Sequence, residues 1–571
     1  MQTKTIPSVE ERRKELETKY KTWTRETLHT HFEKICKQYG NRDFIAINNE
    51  KSSYSAVWEN AVMYAKSFLN LGVKRRDHIA VLMENHQDYV SLLIASSLLG
   101  AVFIPINTML KKEELSFVLR QSDSKYLIFQ SQIKKNNYAK MIAELLEDKR
   151  FQEDSKLEKL VCIGDKKEVE GDEFIAWGNF VADADKVADV DLKERKEASF
   201  YPDEVSIIMY TSGSTGQSKG VMLTHDMLLK SAYATCLSRA IEEGRVTFGA
   251  LPFYHCFNMI EGILAMSFVG GLLVAPNLFT PQSALEMMEK FKANDFLCVP
   301  SMLVPLLNHP KVEDFDLLNL YAAWCGAAPA PVTVWEKAIK LLGLTEICTG
   351  YGQTEVTSSG VITEMGDSIE LITQRVGRPK LGGIAGLKEF GGSIVQYQTI
   401  DTETEEKLPK GAIGELVVRG NTVTKGYYKN PQETADTIDK DGWLKTGDVG
   451  RIDKNGYIEL LGRSKELYKV SGELVAPKEI EGVINKHPAV NQAVVVGVPN
   501  AITTETGAVF VELKSGKTAG AQQIIDWCAE ILARFKVPRY VWFIQPEAWP
   551  MTSTGKIRKS QLKKMAEERV Q

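Results

Sequence analysis

The stretch Tyr210-Thr211-Ser212-Gly213-Ser214-Thr215-Gly216-Gln217-Ser218-Lys219-Gly220 follows the apolar run Val205-Ser206-Ile207-Ile208-Met209 and leads into Val221-Met222-Leu223-Thr224-His225. This pattern predicts strand, loop, strand. Three glycines free the backbone to take φ > 0, so that consecutive N–H groups converge on one anion, and the serine and threonine hydroxyls and one ammonium add donors around the same point. Such a loop is built to hold phosphate. The competing reading is a flexible Ser/Gly linker, but linkers rarely continue a buried-strand pattern without a break. It is not a Walker A loop, because Ser218 stands where that motif needs glycine and the ending is Lys-Gly rather than Lys-[Ser/Thr].

At 571 residues the chain exceeds one hydrophobic core, so two or more domains are expected. A net charge of -4 gives no basic excess that would make nucleic acid the main partner, which leaves small-molecule chemistry. The opening residues lack the apolar core of a signal peptide, and the longest apolar runs, Val90 to Val102 and Ile263 to Pro276, fall short of the roughly 20 residues a membrane span needs. They are expected in the core. Eight cysteines, with no CxxC pair and no His cluster at metal-ligand spacing, suggest reduced thiols and a cytoplasmic protein.

From about Leu28 to Gln130, helical stretches such as Ala56 to Ala65 alternate with short strands such as His78 to Leu82 and Tyr126 to Phe129, the pattern of an α/β layer with parallel sheet. The charge-rich residues from about Leu145 to Ser199 are expected to be surface connections. Strand and helix alternate again to Leu344, followed by a β-rich region from Arg375 to Leu461. Beyond it, a helix at Pro477 to Lys486, strands at Val490 to Val496 and Ala508 to Leu513, a helix at Gln522 to Leu532 and a strand at Tyr540 to Ile544 form a small α+β pattern.

Chemistry-bearing residues recur along this frame. In Thr349-Gly350-Tyr351-Gly352-Gln353-Thr354-Glu355, Glu355 has the residue type to hold a Mg²⁺ that bridges ATP phosphates, and Thr354 can donate to an oxyanion. Cys325-Gly326-Ala327-Ala328-Pro329 is a run of small residues where a flat base could lie on backbone, or a tight helix entry. Trp443-Leu444-Lys445-Thr446-Gly447-Asp448 carries a carboxylate able to accept two ribose hydroxyls, or forms an Asx turn. Later come Gly462-Arg463-Ser464-Lys465-Glu466-Leu467-Tyr468-Lys469-Val470-Ser471-Gly472-Glu473 and Pro550-Met551-Thr552-Ser553-Thr554-Gly555-Lys556.

Taken in order, these motifs resemble the adenylate-forming superfamily, which includes acyl-CoA synthetases, luciferases and the adenylation domains of peptide synthetases. The resemblance spans most of the chain. It implies a large multi-layered N-terminal domain, residues 1–462, with α/β sheets and a β-rich subdomain, and a small mobile α+β domain, residues 463–571, hinged near Glu466. It also implies site roles. Thr211, Ser212, Gly213, Ser214, Thr215, Gly216 and Lys219 would hold phosphate, and Gly326, Ala327 and Ala328 would line the adenine and acyl pocket. Gly350, Tyr351, Gly352 and Gln353 would flank the nucleotide, with Tyr351 stacked near adenine, Thr354 at the α-phosphate and Glu355 on magnesium. Asp448 would take the ribose, Arg463 ribose or phosphate, and Ser471, Gly472 and Glu473 would admit coenzyme A. Lys556 would bridge the substrate carboxylate and the α-phosphate, and Lys469 would serve the second half-reaction. The chain departs from the family's usual residues at Ser218 (proline), Glu466 (Asp or Lys) and Tyr468 (aliphatic).

The expected activity is that of an ATP-, Mg²⁺- and coenzyme A-dependent acyl-CoA synthetase that forms an acyl-AMP from a small carboxylic acid and then the thioester. Leu251 to Ile260, with His255 either orienting the acid or satisfied in the core, resembles the stretch beside the acyl pocket. No acidic residue there would pair with an amine, which favours a fatty acid of medium to long chain or an aryl acid. A ligase loading a separate carrier protein, or a non-catalytic nucleotide-binding protein on the same fold, are the alternatives. No transmembrane segment is expected, though an apolar substrate would allow transient membrane contact.

Overall fold

The computed structural model of the chain describes residues 6–164, 173–211, 218–463, 466–470, 473–551 and 557–570. The chain divides into two compact units, Met1–Gln396 with Arg419–Leu444, and Tyr397–Val418 with Lys445–Gln571.

Two seven-stranded sheets build the first unit. One runs in the order Lys219–Thr224, Val205–Thr211, Val102–Pro105, His78–Leu82, Ser124–Gln130, Lys159–Ile163, Phe174–Ala176. All its ladders are parallel except the first, where Lys219–Thr224 returns antiparallel along Val205–Thr211. The other has the order Glu346–Cys348, Ala322–Cys325, Asp295–Cys298, Val246–Gly249, Leu272–Ala275, Asp43–Ile47, Glu50–Ser53, parallel but for its last pair. One apolar core joins them, with Ile45 and Leu273 from one sheet and Ile79, Phe103 and Ile207 from the other. A parallel strand covered on both faces reads as an unbroken apolar run, and all five residues of His78–Leu82 are buried.

The expected helix at Ala56 to Ala65 lies within Tyr54–Asn70, where the Ser53 side chain accepts from the Ala56 amide as N-cap. Both long apolar runs are core. The first is the helix Asp88–Leu98 followed by the strand Val102–Pro105; in the second, Gly270 at φ 59 ends the helix Ala265–Val269 so that the strand Leu272–Ala275 can begin at once. The charge-rich segment is more than a surface connection: Lys159–Ile163 and Phe174–Ala176 extend the first sheet, burying Leu160, Val161 and Cys162. Short apolar triplets between charged runs suffice for an outer strand, and the flanking charge masks them.

A four-stranded sheet in the order Val395–Ile400, Gly414–Gly420, Leu444–Ile452, Ile458–Arg463 lies mostly in the second unit. The rest of that unit is a five-stranded sheet centred on a long hairpin, Val490–Asn500 with Thr504–Leu513, joined by Tyr468–Val470, Glu473–Val475 and, in parallel, Tyr540–Phe543. Strand alternation sorts the hairpin's residues between two cores. Val495, Val509 and Val511 pack with the helices Pro477–Ile484 and Ala521–Ile531, while Val494, Val496 and Phe510 pack with Leu562 and Ala566 of the helix Lys559–Val570. That last helix escapes a periodicity reading because two fully buried residues, one turn apart, are its anchor in an otherwise charged segment.

Candidate active site

Thr211 and Lys219 face each other in the antiparallel ladder, so the two ends of the phosphate-loop sequence are fixed at one point on the sheet edge. Ser212, Gly213, Ser214, Thr215 and Gly216 lie outside the described residues, as do Ser471, Gly472 and Lys556. The Lys219 ammonium is ion-paired with Glu433, in the first turn of the helix Pro431–Thr437, and stands 5.2 Å from the centre of the Tyr427 ring.

Tyr427 in turn donates its hydroxyl to Glu355 Oε1 at 3.0 Å. Burial first, and then the Glu355 charge, push the Tyr427 phenol well above its ordinary pKa, so it stays a neutral donor. The Thr424 amide donates to the Glu355 carbonyl at 2.8 Å. Lys219, Tyr427 and Glu355 thus form one contiguous group.

Glu355 follows the strand Gly350–Gln353, which pairs antiparallel with Ser358–Ile362. A Cβ on Gly352 would lie 2.0 Å from the Ser358 carbonyl oxygen, so only glycine permits this pairing. Thr354 is buried, and its Oγ1 lies 3.6 Å from Cys256 Sγ. Burial pushes the Cys256 thiol up to about 12. Beside it, His255 is exposed and caps a short helical turn, its Nδ1 accepting from the Phe257 amide at 3.2 Å. This is not a core histidine.

Phe257 meets Trp324 edge-on with ring centres 5.1 Å apart. With Leu251, Leu297, Cys348 and Ile362 they make an apolar wall. Gly326 backs onto it, since a Cβ there would fall 2.8 Å from Phe257 Cζ, and Gly350 likewise at 3.1 Å from Trp324. Ala327, at φ 64, and Ala328 are exposed next to this wall. Several expected residues of the first unit therefore meet on a chain running from Lys219 through Tyr427, Glu355, Thr354, Cys256 and its neighbour Phe257 to Gly326.

In the second unit Asp448 and Arg463 are opposite in register, with Arg463 Nε 2.9 Å from Asp448 Oδ1. Arg463 also donates to the Thr446 carbonyl at 3.3 Å. The two residues assigned to ribose and phosphate are thus one ion pair. Lys469 is exposed, on Tyr468–Val470, and its ammonium is paired with Glu403, which holds it above its ordinary pKa. Glu473 lies on the neighbouring strand Glu473–Val475. Glu466 is ion-paired with Lys559 at 3.1 Å, and Lys559 with Glu481 at 2.9 Å.

Residues 32–428 match the family described as AMP-binding enzyme, and residues 479–556 its C-terminal domain. The chain belongs to the AMP-binding enzymes. A putative acyl-CoA synthetase YngI of Bacillus subtilis is 32% identical over 94% of this chain and 97% of its own length. A mitochondrial medium-chain acyl-CoA ligase ACSF2 of Mus musculus is 27% identical over 93% of this chain and 86% of its own. The solved anthranilate CoA ligase AuaEII, in complex with anthranoyl-AMP, superposes with a TM-score of 0.80 at 23% identity over 96% of this chain and 99% of its own, a likeness of fold. This AMP-binding enzyme is an adenylate-forming ligase of the acyl-CoA synthetase type, using ATP and coenzyme A. Among its described residues no helix is long and apolar enough to cross a membrane.

Sequence reading missed several residues that contact the expected ones. Tyr427 and Glu433 sit in Gly426-Tyr427-Tyr428-Lys429-Asn430-Pro431-Gln432-Glu433, where an aromatic pair ahead of a helix-starting proline is a signal that could have been weighed. Cys256 and Glu403 carry no local signal.

Proposed function

We propose that the enzyme activates an apolar carboxylic acid, fatty or aryl, on the residues described above. The observation that carries this is the contiguous run of Lys219, Tyr427, Glu355 and Thr354 against an apolar wall. A carboxylate oxygen of the acid attacks the α-phosphorus of ATP, the bond to the β-phosphate oxygen breaks, and pyrophosphate leaves. Lys219 and the loop hold the departing phosphates, Thr354 donates to the α-phosphate, Asp448 holds ribose hydroxyls, and Ala327 and Ala328 offer open backbone to adenine, with Tyr351 stacked on it. Lys556 holds the two anions together, since one ammonium between them offsets their repulsion. The thiol sulfur of coenzyme A then attacks the acyl carbon, the bond to the AMP oxygen breaks, and the thiol proton passes to solvent. Lys469 and the Ser471–Glu473 region serve this step, after the C-terminal residues turn about Glu466.

Among the described residues no three His, Cys, Asp or Glu side chains converge as a metal site. A Mg²⁺ would therefore be held by Glu355 together with phosphate oxygens, the manner in which this ion binds to nucleotide enzymes. Glu355, with one oxygen already bonded by Tyr427, fits that role. When bound, Mg²⁺ neutralises charge on the phosphates. The apolar wall supports an apolar acid, and Glu261, four residues after Phe257, is paired with Lys380 and thus not offered to a substrate amine. Eight free cysteines support a reducing, cytoplasmic setting.

The test is pyrophosphate and AMP release with Mg-ATP against fatty, aryl and amino acids, each with and without coenzyme A. AMP turnover that needs coenzyme A with one class of acid supports the reading. A single burst of pyrophosphate that coenzyme A does not restart points to a carrier-protein acceptor. Silence across the panel overturns the reading.

A further inference from the structure

Glu261 and Lys380 are both fully buried, and neither is used by the reaction described above. Glu261 lies on the π-helical turn Met259–Leu264, which follows directly on the short helix Cys256–Asn258 capped by His255. A widened helical turn of this kind is rare and marks functional sites. The Lys380 ammonium stands 3.0 and 2.9 Å from the two Glu261 carboxylate oxygens and 2.7 Å from Thr235 Oγ1, so each of its three protons has an acceptor. Burial draws the Lys380 pKa down, and the Glu261 charge opposes that. An ion pair at this depth is held only because both members are paired and hydrogen-bonded throughout.

The carboxylate does a second thing. Glu261 Oε1 accepts from both the Ser359 amide, at 3.1 Å, and the Ser359 hydroxyl, at 2.5 Å. Ser359 comes immediately after two consecutive non-glycine residues with left-handed backbone, Thr357 at φ 57 and Ser358 at φ 78. A β-branched residue in that region is strained and persists only where its surroundings fix it. They do so here. The Ser231 hydroxyl donates to the Thr357 carbonyl at 2.7 Å, Thr357 Oγ1 donates to the Thr422 carbonyl at 2.7 Å, and Glu261 takes the amide on the far side. On the near side the Thr357 amide donates to the Thr354 carbonyl at 2.9 Å, so the strained pair is the direct continuation of the Thr354-Glu355 turn.

We propose that the Glu261–Lys380 pair is a strut that positions Thr354 and Glu355: Lys380 fixes the carboxylate, and the carboxylate clamps Ser359 so that the strained backbone holds the α-phosphate and metal residues in place. The pair acts through the turn and touches no substrate. The proposal rests on the roles given above to Thr354 and Glu355.

Removing one charge alone strands the other in the core and threatens folding, so the test uses charge-neutral doubles. Glu261→Gln with Lys380→Met keeps an acceptor for Ser359; Glu261→Met with Lys380→Met removes it. ATP–pyrophosphate exchange is measured with the best acid from the panel, across a range of Mg²⁺ concentrations, alongside thermal melting and amide hydrogen exchange. The Met/Met double is expected to fold, to lose at least about tenfold in the rate of exchange, to need more Mg²⁺ for half-saturation, and to exchange the 357–359 amides faster than wild type. The Gln/Met double restores most of each. Equal behaviour of the two doubles, in rate and in amide protection, overturns the strut, and so does unchanged protection at 357–359 in the Met/Met protein. If the wild type itself activates no acid, the proposed function fails, and the amide exchange still decides whether Glu261 clamps the turn.

Discussion

Replacing Tyr427 by Phe removes one hydroxyl and leaves the ring. That hydroxyl donates to Glu355 Oε1 over 3.0 Å from a residue only 5% exposed, so it is a hydrogen bond to a charged acceptor with little competition from water. Bonds of this type contribute about 1.5 to 3 kcal/mol. Glu355 is itself half-buried, which places the loss at the lower end, about 1.5 kcal/mol. With roughly 1.4 kcal/mol per factor of ten, adenylation should slow about tenfold if the bond holds Glu355 in its reactive position. The Tyr427 phenol is raised well above its ordinary pKa, so it remains protonated over the working range and the defect should not vary with pH. The assay is ATP–pyrophosphate exchange at graded Mg²⁺, where the variant should also require more Mg²⁺ for half its maximal rate. An unchanged rate with an unchanged Mg²⁺ requirement would refute the reasoning, because the tyrosine would then be packing and nothing more.

Three further outcomes are expected. Lys556→Ala should lower acyl-adenylate formation by about 10²- to 10³-fold, the effect of losing one donor at a developing charge, and an unaltered single-turnover rate would remove Lys556 from the reaction. Glu433→Gln frees the Lys219 ammonium from its ion pair and should lower the KM for ATP about threefold; a rise in KM would mean that Glu433 orients the lysine for phosphate instead of competing for it. Burial raises the thiols of Cys236, Cys256 and Cys348 to about 12 from an ordinary 9, so above about pH 9 the unfolded chain sheds protons that the folded one keeps. The stability these thiols contribute is therefore full below pH 9 and lost as the pH climbs toward 12, and the Tm should fall steadily from pH 9 to 10.5. A flat Tm over that interval would contradict the assignment.

The sequence carried the element types and the chemistry better than the long-range connections. Three glycines among hydroxyls after a buried strand announce a phosphate loop, because backbone freedom and donor density are local properties. Which sheet a strand joins is not local. Asp43–Ile47 and its neighbour Glu50–Ser53 precede the strands of one sheet in sequence, yet Ile45 pairs with Leu273 in the other. The Glu261–Lys380 pair is hidden for the same reason: 119 residues separate its members, and in sequence each is an ordinary charged side chain. Thr354 and Glu355 could be read from residue type and order, whereas their contacts with Cys256 and Tyr427, across 98 and 72 residues, became visible only where distant segments meet.

The glycine contacts also say which parts of this site can drift. Around Gly350 and Gly352 a single added methyl would collide with the Val361 carbonyl oxygen or the Ser358 carbonyl oxygen, at 2.7 and 2.0 Å respectively, so the side proposed for the nucleotide is written in main chain and tolerates almost no rewriting. The apolar wall onto which Gly350 backs is written in side chains, Leu251, Phe257, Trp324 and Ile362, whose size can change without breaking a strand pairing. A library that varies those four positions while leaving the glycines alone would sample new acids on an unaltered adenylating frame, the division of labour by which one scaffold diversifies its substrates.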